Sequence, residues 1–514
     1  MKTHKTAASS VLLKMFAVGF IALVFWAIIL TVVQSAQNNS YLPMALAPVL
    51  TIAALLVWKK GRALYHRIPE HLLNGAFVFL CIAAFFAMLY FSHRMRLRFG
   101  VDTWDFTKIQ IDASHKAMGT GDISLSYYAK YKNNQLLLLL LTSLFRLILW
   151  MAPNASGGVL HQWAMAVNCA AILTAVILCY CAVKRAYGTH FAFLAGLFLL
   201  FYTPLWLYTP IYYTDTLGLP LIVLPVLLLT YVKDGKTVRN IVLFCIMGIV
   251  AAIGMKIKMS ILFVFLAIAI TVLLFHRQKT RWLAVLSGIA ALVLSAFLLQ
   301  LATDGALRLT KDRYDKYQLP YSHWVMMSLG ESGGYDAELV KYTSSFETME
   351  ERKAAVAEKT GELLSKRGFT GTIKHIFVTK MKNAWGDGSF SGAYYLGREP
   401  AEQGIFQKYF TQRGALYGLT YSYLQTLHLM LLFGLVLSGI RMFKNPSGGV
   451  VTAMNICIFG VLVFLLFWEC NSRYLVHIAP FLVIGSAYGV ASVSGLPFFG
   501  KQFAKKSEKS EKIS

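Results

Sequence analysis

The stretch Val101–Asn134, VDTWDFTKIQIDASHKAMGTGDISLSYYAKYKNN, is polar and lies between two long apolar runs. It carries the carboxylates Asp102 and Asp105 near its start and the neighbouring amides Asn133 and Asn134 near its end. In a chain this apolar, a loop that concentrates such side chains is more than a connection between helices. We interpret it as one wall of a site at the membrane surface, and the rest of the chain as the scaffold and the other walls.

The composition is that of an integral membrane protein. Of the 514 residues, 57% are hydrophobic and 14% are charged, and the mean hydropathy is +0.57. Apolar runs of about 20 residues recur along the chain, and that is the length a helix needs to span a bilayer. We therefore predict an all-α polytopic membrane protein, a bundle of roughly 11–13 transmembrane helices with a large outer loop subdomain.

Charge and cysteine usage exclude several other classes of protein. The net charge of +25 is concentrated in short links between the apolar runs, as the positive-inside rule expects. It indicates a surface that faces anionic lipid, and no nucleic-acid partner is predicted. The seven cysteines fall almost entirely inside apolar runs, and no CxxC pair is present. We interpret them as small core residues, so neither a metal site nor a disulfide framework is predicted.

The order of the first apolar runs predicts an outer catalytic loop. The basic N-terminus and the link KKGRALYHR are predicted to be cytoplasmic, and three runs precede the loop at residues 93–134. This count places the loop outside, although Arg94, Arg96 and Arg98 do not fit the simple charge rule. Two explanations stay open: these side chains reach lipid headgroups, or they form a cationic rim for a phosphate.

The count of crossings is inconsistent in the middle of the chain. Two crossings between Asn134 and Lys184 would place the basic link KRAYG outside. The later links, counted back from the C-terminus, require this link to be inside. One of the runs between these residues is therefore predicted not to cross fully, and the sequence leaves open which one.

Counting back from the C-terminus also defines three parts of the chain. Residues 1–301 form an N-terminal transmembrane module with the catalytic outer loop 93–134. Residues 302–415 form an extracytoplasmic loop subdomain, which holds 14 of the 24 acidic residues. Residues 416–514 form the last transmembrane helices and a basic cytoplasmic tail. Both termini are predicted to be cytoplasmic, in a bacterial plasma membrane with the active site facing outside.

Polar residues beside the apolar runs predict helix ends around the first loop. Asp102 or Thr103 is expected to cap a short helix that ends near Met118. Asn133 or Asn134 is expected to cap the membrane helix that follows. These caps would hold both ends of the loop by backbone structure.

The outer subdomain contains a second set of helix signals. Thr348-x-x-Glu351 is a capping box that opens a helix to about Arg367, and Gly368 closes this helix. Residues 372–385 combine apolar side chains on one side with lysines beside them, which predicts a helix at the bilayer interface.

Ionisable residues interrupt the apolar runs far from the first loop. Asp215 lies in TPIYYTDTLGLP, Lys256 and Lys258 lie in GMKIKMS, and Glu469 and Arg473 lie in FWECNSRYLVHIAPF. Charged groups at membrane depth are costly and commonly mark a functional site. A structural pair between Glu469 and Arg473, four residues apart, is the alternative, and it stays open.

The predicted topology brings these segments to the same face as the first loop. Carboxylates, cations, tyrosines and amides then converge, and this convergence is the strongest signal in the sequence. The candidate catalytic residues are Asp105 and Asp102. The candidate residues for binding the donor phosphate or substrate are Lys132, Asn133, Asn134, Tyr213, Asp215, Lys256, Lys258, Glu469, Arg473 and Tyr474.

A carboxylate beside a cationic phosphate site is the arrangement that suits glycosyl transfer from a lipid-phosphate sugar. The carboxylate takes the proton of the acceptor hydroxyl, and Lys or Arg neutralises the phosphate as it leaves. A lipid tail would also explain why the site lies at the bilayer, since a tethered donor has a raised effective concentration.

The same segments resemble the GT-C superfold of polyprenyl-phosphate-sugar-dependent glycosyltransferases. The resemblance is carried by DTWDF, YAKYKNNQLL, YTDT, MKIKMS, HWVMMSLGESGGYD, WGDG at residues 385–388 and RYLVHIAPF. It covers most of the chain. It is greatest for the branch of bacterial integral membrane proteins related to protein O-mannosyltransferases and the lipid A aminoarabinose transferase.

This resemblance implies an inverting transferase whose donor phosphate binds on the outer face and whose base is a first-loop carboxylate. Asp105 and Asp102 both qualify, and Asp105 is preferred because it follows Trp104 at the helix start. The family often has adjacent acidic residues in this loop, whereas this chain has DxxD. The DxxD spacing therefore does not support a divalent metal site, and no cofactor is assigned. His323 in the large loop is a candidate contact to the acceptor, although a single histidine is more often structural.

The implied partners are a polyprenyl-phosphate-linked sugar, membrane lipid, and a glycan, lipid or protein acceptor. The first alternative is a transporter or flippase of lipid-linked sugars, which would also place charges in a cavity. Transporters commonly consist of two matched halves, and none are visible in this sequence. The second alternative is a glycan polymerase or ligase that uses a diphosphate-linked donor.

Overall fold

The computed structural model describes residues 7–276 and 280–493. These residues are helical, apart from loops and one isolated antiparallel bridge between Leu97 and Pro400. Ten of the described helices are long and apolar enough to cross a membrane, and three shorter apolar helices accompany them. The predicted fold class, an all-α polytopic membrane protein, is confirmed. The predicted basic start before residue 7 and the basic tail after residue 493 lie outside the described residues.

The first part of the bundle alternates long membrane helices with short ones. Its helices are α1 Ala7–Gln37, α2 Leu42–Tyr65, α3 Glu70–Arg94, α4 Asp105–Met118, α5 Leu125–Lys130, α6 Gln135–Met151, α7 Gly157–Tyr187, α8 Thr189–Leu200, α9 Thr203–Leu207, α10 Thr214–Leu217 and α11 Leu219–Leu229. Pro204 and Pro220 stand in the first turns of α9 and α11, where the missing N–H group costs nothing.

The second part carries the outer subdomain between its membrane helices. Its helices are α12 Thr237–Ile257, α13 Leu262–Phe275, α14 Arg281–Leu307, α15 Lys311–Tyr317, α16 Tyr321–Ser328, α17 Ala337–Ser344, α18 Met349–Lys374, α19 Met381–Trp385, α20 Gly392–Leu396, α21 Ile405–Phe410, α22 Tyr417–Lys444, α23 Val450–Phe467 and α24 Ala479–Val493. Short turns precede α6, α13 and α24, at Lys132–Asn134, Met259–Ile261 and Ser472–Ile478.

Helix α3 ends at one end of the bundle, which we call the upper end. Helix α6 both begins and ends there. Gly157 at the start of α7 packs against Phe99, and a Cβ at this glycine would lie 2.4 Å from the ring. His161 in α7 lies 2.8 Å from the amide nitrogen of Gln110 in α4. Because α7 starts where α3 finished, the run at Gln135–Met151 is the one that does not cross. This resolves the inconsistent count in the sequence.

Twelve segments in the described part of the chain are then candidates for crossing by length and composition: nine of the ten long helices, without α6, and the three shorter ones. The opposite, lower end is marked by contacts between links. Tyr65 donates to the carbonyl of His190 at 2.8 Å, and Arg185 donates to that of Thr230 at 3.3 Å. An even number of crossings leaves the start of α1 and the end of α24 at this lower end, together with the basic links.

The predicted side-chain caps around the first loop are wrong. α4 begins directly after Trp104, and the Thr107 hydroxyl accepts from the backbone N–H groups of Thr103 and Trp104 at 2.9 and 3.1 Å. Asp102 therefore has no capping role. Asn134 precedes α6 but makes no side-chain cap bond, because its amide is turned towards tyrosines of the site described below.

The outer subdomain follows α14, which extends past the predicted boundary to Leu307. Its predicted capping box is present, since Thr348 accepts from the Glu351 N–H and the Glu351 carboxylate accepts from the Thr348 N–H, both at 3.1 Å. Gly368 has a φ of +65° and marks a kink where the first helix was predicted to end. The segment predicted as a second helix contains a π-helical turn at His375–Lys380.

The position of α6 can be tested by labelling single cysteines with a membrane-impermeant maleimide. We expect Asn154→Cys, after α6, to be labelled from the same side as Thr120→Cys, after α4, because both lie at the upper end. Lys59→Cys at the lower end should be labelled only from the other side. All three positions are exposed. Labelling of Asn154→Cys from the side of Lys59→Cys would show that α6 crosses; the unsubstituted chain gives the background.

Candidate active site

A cavity of about 620 Å³ lies at the upper end, between the first loop, the ends of α12 and α23, and the outer subdomain. Segments that are far apart in sequence meet there, as the predicted convergence requires. The cavity is lined by these members of the predicted set: Asp105, Lys132, Asn133, Asn134, Tyr213, Lys256, Lys258, Glu469, Arg473 and Tyr474.

Three predicted residues do not line this cavity. Asp102 is exposed outside it, and Asp215 is fully buried behind the residues that line it. His323 is fully buried in the outer subdomain, with Nδ1 2.8 Å from the Thr343 hydroxyl. Burial lowers the pKa of His323 to about 4, so this histidine is neutral. His323 therefore does not line the cavity where the expected contact with an acceptor would form.

Asp105 stands in the first turn of α4, where the helix N-terminus favours a negative charge. Its Oδ1 accepts a 2.7 Å hydrogen bond from the Tyr127 hydroxyl, which itself accepts one of 2.7 Å from the Asn134 amide. The Asn134 oxygen accepts from the Tyr213 hydroxyl at 3.0 Å. Burial and the neighbouring Asp105 raise the pKa of Tyr127 well above its usual value, so its hydroxyl stays a donor. This chain of neutral groups fixes the Asp105 carboxylate.

The start of α4 is held in place by the outer subdomain. The ring of Trp104, directly before Asp105, stacks on Tyr395 with centroids 4.2 Å apart. Arg398 donates to the backbone carbonyl of Thr103 at 2.6 Å. The loop that carries the carboxylate is therefore clamped between the subdomain and the membrane helices.

Arg473 is enclosed by aromatic rings. Its guanidinium carbon lies 5.0 Å from the ring centroid of Tyr395, 5.2 Å from Trp104, 5.3 Å from Tyr213 and 5.7 Å from Tyr474. Ring faces attract a cation, and the attraction grows when the cation is desolvated. The cage explains how an arginine with 9% exposure is tolerated at this depth.

Asp215 is the counter-ion of two cations. Lys258 donates to its Oδ1, and the Arg473 Nε lies 3.4 Å from its Oδ2. Burial lowers the pKa of Lys258, and the Asp215 carboxylate opposes this shift. One carboxylate between two cations leaves a net positive charge at the cavity wall. The alternative pair of Glu469 with Arg473 is wrong, because Arg473 pairs with Asp215.

Glu469 is a buried carboxyl that forms no ion pair with a described residue. Its Oε1 accepts a 2.9 Å hydrogen bond from the Tyr474 hydroxyl. Burial raises the pKa of Glu469, and the hydrogen bond from Tyr474 and the cations Arg473 and Lys258 oppose this shift only in part. The net shift is towards the protonated form of Glu469.

Lys132 and Lys256 line the cavity, and no described carboxylate forms an ion pair with either. Lys132 Nζ lies 4.1 Å from the ring centroid of Tyr314, and Lys256 donates to the Gln300 oxygen. Gln300 donates to the Tyr314 hydroxyl at 3.1 Å, and both also bond to Asp304. One polar cluster, which includes the Asp304 carboxylate, therefore holds the two lysines near each other at the cavity wall.

Sequence reasoning missed several residues of this arrangement. Tyr127 stands inside the quoted first loop, but no spacing rule showed that it faces Asp105. Gln300, Tyr314 and Tyr395 carried no local signal, because single polar or aromatic residues near helix ends are common. Within residues 7–276 and 280–493, no group of three or more His, Cys, Asp or Glu side chains is arranged to hold a metal ion.

The role of Asp215 can be measured as stability. Asp215→Asn removes the carboxylate that pairs with Lys258 and Arg473 and leaves two buried cations without it. We expect the free energy of unfolding to fall by about 3–5 kcal/mol, the usual cost of removing one partner of a buried pair. Thermal unfolding of the purified protein in detergent measures this. Asp102→Asn, at an exposed position, is the matched control, and equal stability of the two variants would contradict the assignment.

The raised pKa of Glu469 predicts a pH dependence. Because this pKa is raised in the native state, the unfolded chain loses the proton first, and native stability falls as the pH rises from the ordinary to the raised pKa. Glu469→Gln cannot titrate, so its unfolding temperature should fall less than that of the wild type as the pH rises above about 4.3, the ordinary pKa of a glutamate. The wild type should also show an infrared band of a protonated carboxyl that persists above this pH and that Glu469→Gln lacks. Identical infrared titrations of the two proteins would contradict a raised pKa of Glu469.

Comparison with known proteins gives two distant structural likenesses. The first is to the archaeal oligosaccharyltransferase AglB from Archaeoglobus fulgidus in complex with an inhibitory peptide and a dolichol-phosphate, with 12% identity, a TM-score of 0.40, and coverage of 84% of this chain and 52% of that chain. The second is to the Archaeoglobus fulgidus oligosaccharyltransferase in complex with Zn and sulfate, with 11% identity, a TM-score of 0.37, and coverage of 81% and 52%. The chain spans about half the length of both proteins, and likenesses this distant carry no conclusion about activity.

At the level of sequence, no curated protein matches the chain. A family model does match it, over residues 6–493, which is nearly the whole length. The family consists of integral membrane proteins, in agreement with the helical bundle described above. The chain therefore belongs to the family described as conserved hypothetical integral membrane protein.

Proposed function

We propose that this protein is a membrane glycosyltransferase of the GT-C type. It moves a sugar from a polyprenyl-phosphate donor to an acceptor hydroxyl on the extracytoplasmic face of the membrane. The observation that carries the proposal is one cavity that holds a fixed carboxylate, Asp105, together with two lysines, Lys132 and Lys256, that form no ion pair with a described carboxylate.

Asp105 is assigned as the general base. The acceptor oxygen forms a bond to C1 of the donor sugar and gives its proton to Asp105. The bond between C1 and the phosphate oxygen breaks, and its electron pair leaves with the lipid phosphate. A single displacement of this kind inverts the configuration at C1. Tyr127 and Asn134 act as positioning residues, since they hold the carboxylate in one orientation.

The donor phosphate is assigned to Lys132 and Lys256. Ammonium groups bind phosphate as point charges, and in a partly desolvated cavity they stabilise the charge that develops on the leaving group. Lys258 and Arg473 already share Asp215, so they contribute one net positive charge to the same wall and no free pair. Asp215 is accordingly a structural counter-ion and not a contact to substrate.

An apolar surface of the protein beside this site can hold the lipid part of the donor. Met255, Met259, Val461, Phe464 and Leu465, at the ends of α12, α13 and α23, line the same cavity as the lysines. A polyprenyl chain that packs there keeps its apolar area out of water while its phosphate stays at the upper end. A cavity with both surfaces fits an amphiphilic donor better than a soluble sugar nucleotide.

The side of the membrane follows from the positive-inside rule. The basic links KKGRALYHR and KRAYG lie at the lower end of the bundle, opposite the cavity. We therefore assign the lower end and both termini to the cytoplasm and the cavity to the outer face of a bacterial plasma membrane. Lipid-linked sugars would reach the site from the outer leaflet.

The proposal is tested by supplying the purified protein, in lipid, with a panel of radiolabelled polyprenyl-phosphate sugars. Cell-envelope material from a strain that lacks the protein serves as acceptor. We expect one donor to be consumed, and Asp105→Asn to lower the rate by about 10²–10⁴-fold, the usual contribution of a general base. Tyr127→Phe should lower kcat by a smaller factor with little change in KM for the donor. Asp102→Asn, outside the cavity, is the matched control.

Two outcomes would contradict the proposal. Movement of intact labelled lipid between leaflets without cleavage of the sugar–phosphate bond would identify a transporter. Turnover of diphosphate-linked donors alone would identify a polymerase or ligase. Full activity of Asp105→Asn together with inactivity of Asp102→Asn would move the base to the other carboxylate.

A further inference from the structure

The outer subdomain contributes an aromatic wall to the cavity. The wall consists of Tyr131 from the first loop, Tyr321, Trp324 and Tyr335 from the outer subdomain, and Trp468 after α23, all of which line the cavity. The reaction assigned to Asp105 and the two lysines gives these five rings no role. They therefore form a candidate subsite for a second group.

The rings of the aromatic wall are ordered around Trp324. Its ring centroid lies 6.1 Å from that of Tyr131 and 6.3 Å from that of Trp468, and the planes of the two indoles differ by only 21°. Trp468 stacks in turn on Phe464, with centroids 5.3 Å apart and planes 24° apart. Phe464 and the two indoles thus form a series of nearly parallel, stacked rings that leads from α23 to the outer subdomain.

Two rings of the wall are exposed, whereas Trp324 also packs against the core of the subdomain. Tyr321 and Tyr335 line the cavity, and the exposed fractions of these residues are 64% and 56%, respectively. The subdomain has its own small core, formed by Leu319, Met326, Met327, Leu339, Val340 and Val356, and neither tyrosine belongs to it. Aromatic side chains at a membrane interface commonly face lipid. These two face a cavity instead, so a ligand is the better explanation for their exposure.

Amide side chains occur among the residues that line the cavity with the wall, at Gln318 and Asn133. Of the nearby cations, Lys130 donates to Ser344 at 3.0 Å, Arg398 donates to the carbonyl of Thr103 at 2.6 Å, and Lys132 is assigned to the donor phosphate. Aromatic faces together with amides suit a ligand that has both a C–H surface and many hydroxyl groups.

We propose that the aromatic wall is a subsite for a sugar ring of the acceptor, and that the acceptor is therefore a glycan. The C–H face of a pyranose packs on the ring of Trp324, where the electron-rich aromatic face attracts its partly positive hydrogens. Hydroxyls of the same sugar bond to amides such as Gln318 and Asn133. The inference rests on the proposed function, since it assigns the acceptor side of that reaction.

Other acceptor classes fit this wall less well. A peptide would be held through backbone hydrogen bonds, and the described residues offer no strand edge for such pairing. A lipid acceptor would need a continuous apolar surface, whereas amides and tyrosine hydroxyls interrupt this one. Tyr321, Trp324 and Tyr335 come from the outer subdomain, whereas the lysines assigned to the donor come from the first loop and the end of α12.

The subsite can be tested by direct binding, without any transfer. The full-length protein in lipid nanodiscs is titrated with a panel of soluble oligosaccharides of glucose, mannose, galactose and N-acetylglucosamine, and contact is read by saturation-transfer NMR. We expect at least one class to bind, and Trp324→Ala to weaken its Kd by 10-fold or more. Trp324→Phe, which keeps an aromatic face, should restore most of the affinity. Trp282→Ala, at the lower end with 54% exposure, is the matched control.

Each result decides the inference. If no oligosaccharide binds, if Trp324→Ala binds as well as the wild type, or if peptides of the same panel size bind in place of glycans, the subsite is refuted. If Trp324→Ala unfolds, the oligosaccharide affinities of Trp324→Phe and Tyr335→Ala are compared instead. We expect Tyr335→Ala to lose affinity and Trp324→Phe to keep it. Donor turnover without glycan binding would refute the subsite but support the proposed transferase activity. Glycan binding without donor turnover would support the subsite but refute the transferase activity.

Discussion

A single buried carboxylate holds the upper end of this bundle together. Asp215, at the start of α10, pairs with Lys258 between α12 and α13 and with Arg473 in the turn before α24. Burying a charge is expensive, so three charges at this depth persist only because each lies beside an opposite one. The pairs fix three separate membrane segments relative to each other. The cavity and its lining follow from that arrangement.

The effect of this ion pair reaches the first loop through aromatic rings. Arg473, oriented by Asp215, lies within a cage whose rings include Trp104 and Tyr395, and these two rings stack on each other. Trp104 directly precedes Asp105, so the carboxylate assigned as base is placed by packing on a rigid scaffold and aimed by hydrogen bonds. Placement of this accuracy is what catalysis requires, because small displacements of a reacting group cost large factors in rate.

The sequence predicted the class of the fold and the convergence of charges on one end of the bundle, because hydropathy and charge patterns report which segments span the membrane. It could not identify partners within the site. Helical spacing favoured a Glu469–Arg473 pair, but tertiary structure supplied Asp215 as a better neighbour for Arg473. Asn134 looked like a helix cap, and its contact with Tyr127 depends on how the loop folds back. Helix α6 has the composition of a membrane span, and only the contacts of the start of α7 with Phe99 and Gln110 showed that it does not cross.

The position of the lipid phosphate tests the proposed reaction most directly, and an experimental structure of the protein with a bound polyprenyl phosphate would show it. We expect the phosphate within hydrogen-bond distance of Lys132 and Lys256, the polyprenyl chain along α23, and the Asp105 carboxylate facing the position of the sugar. Asp215 should keep its contacts with Lys258 and Arg473. A phosphate bound to Arg473 in place of Asp215, or a lipid bound outside the cavity, would contradict the proposed reaction.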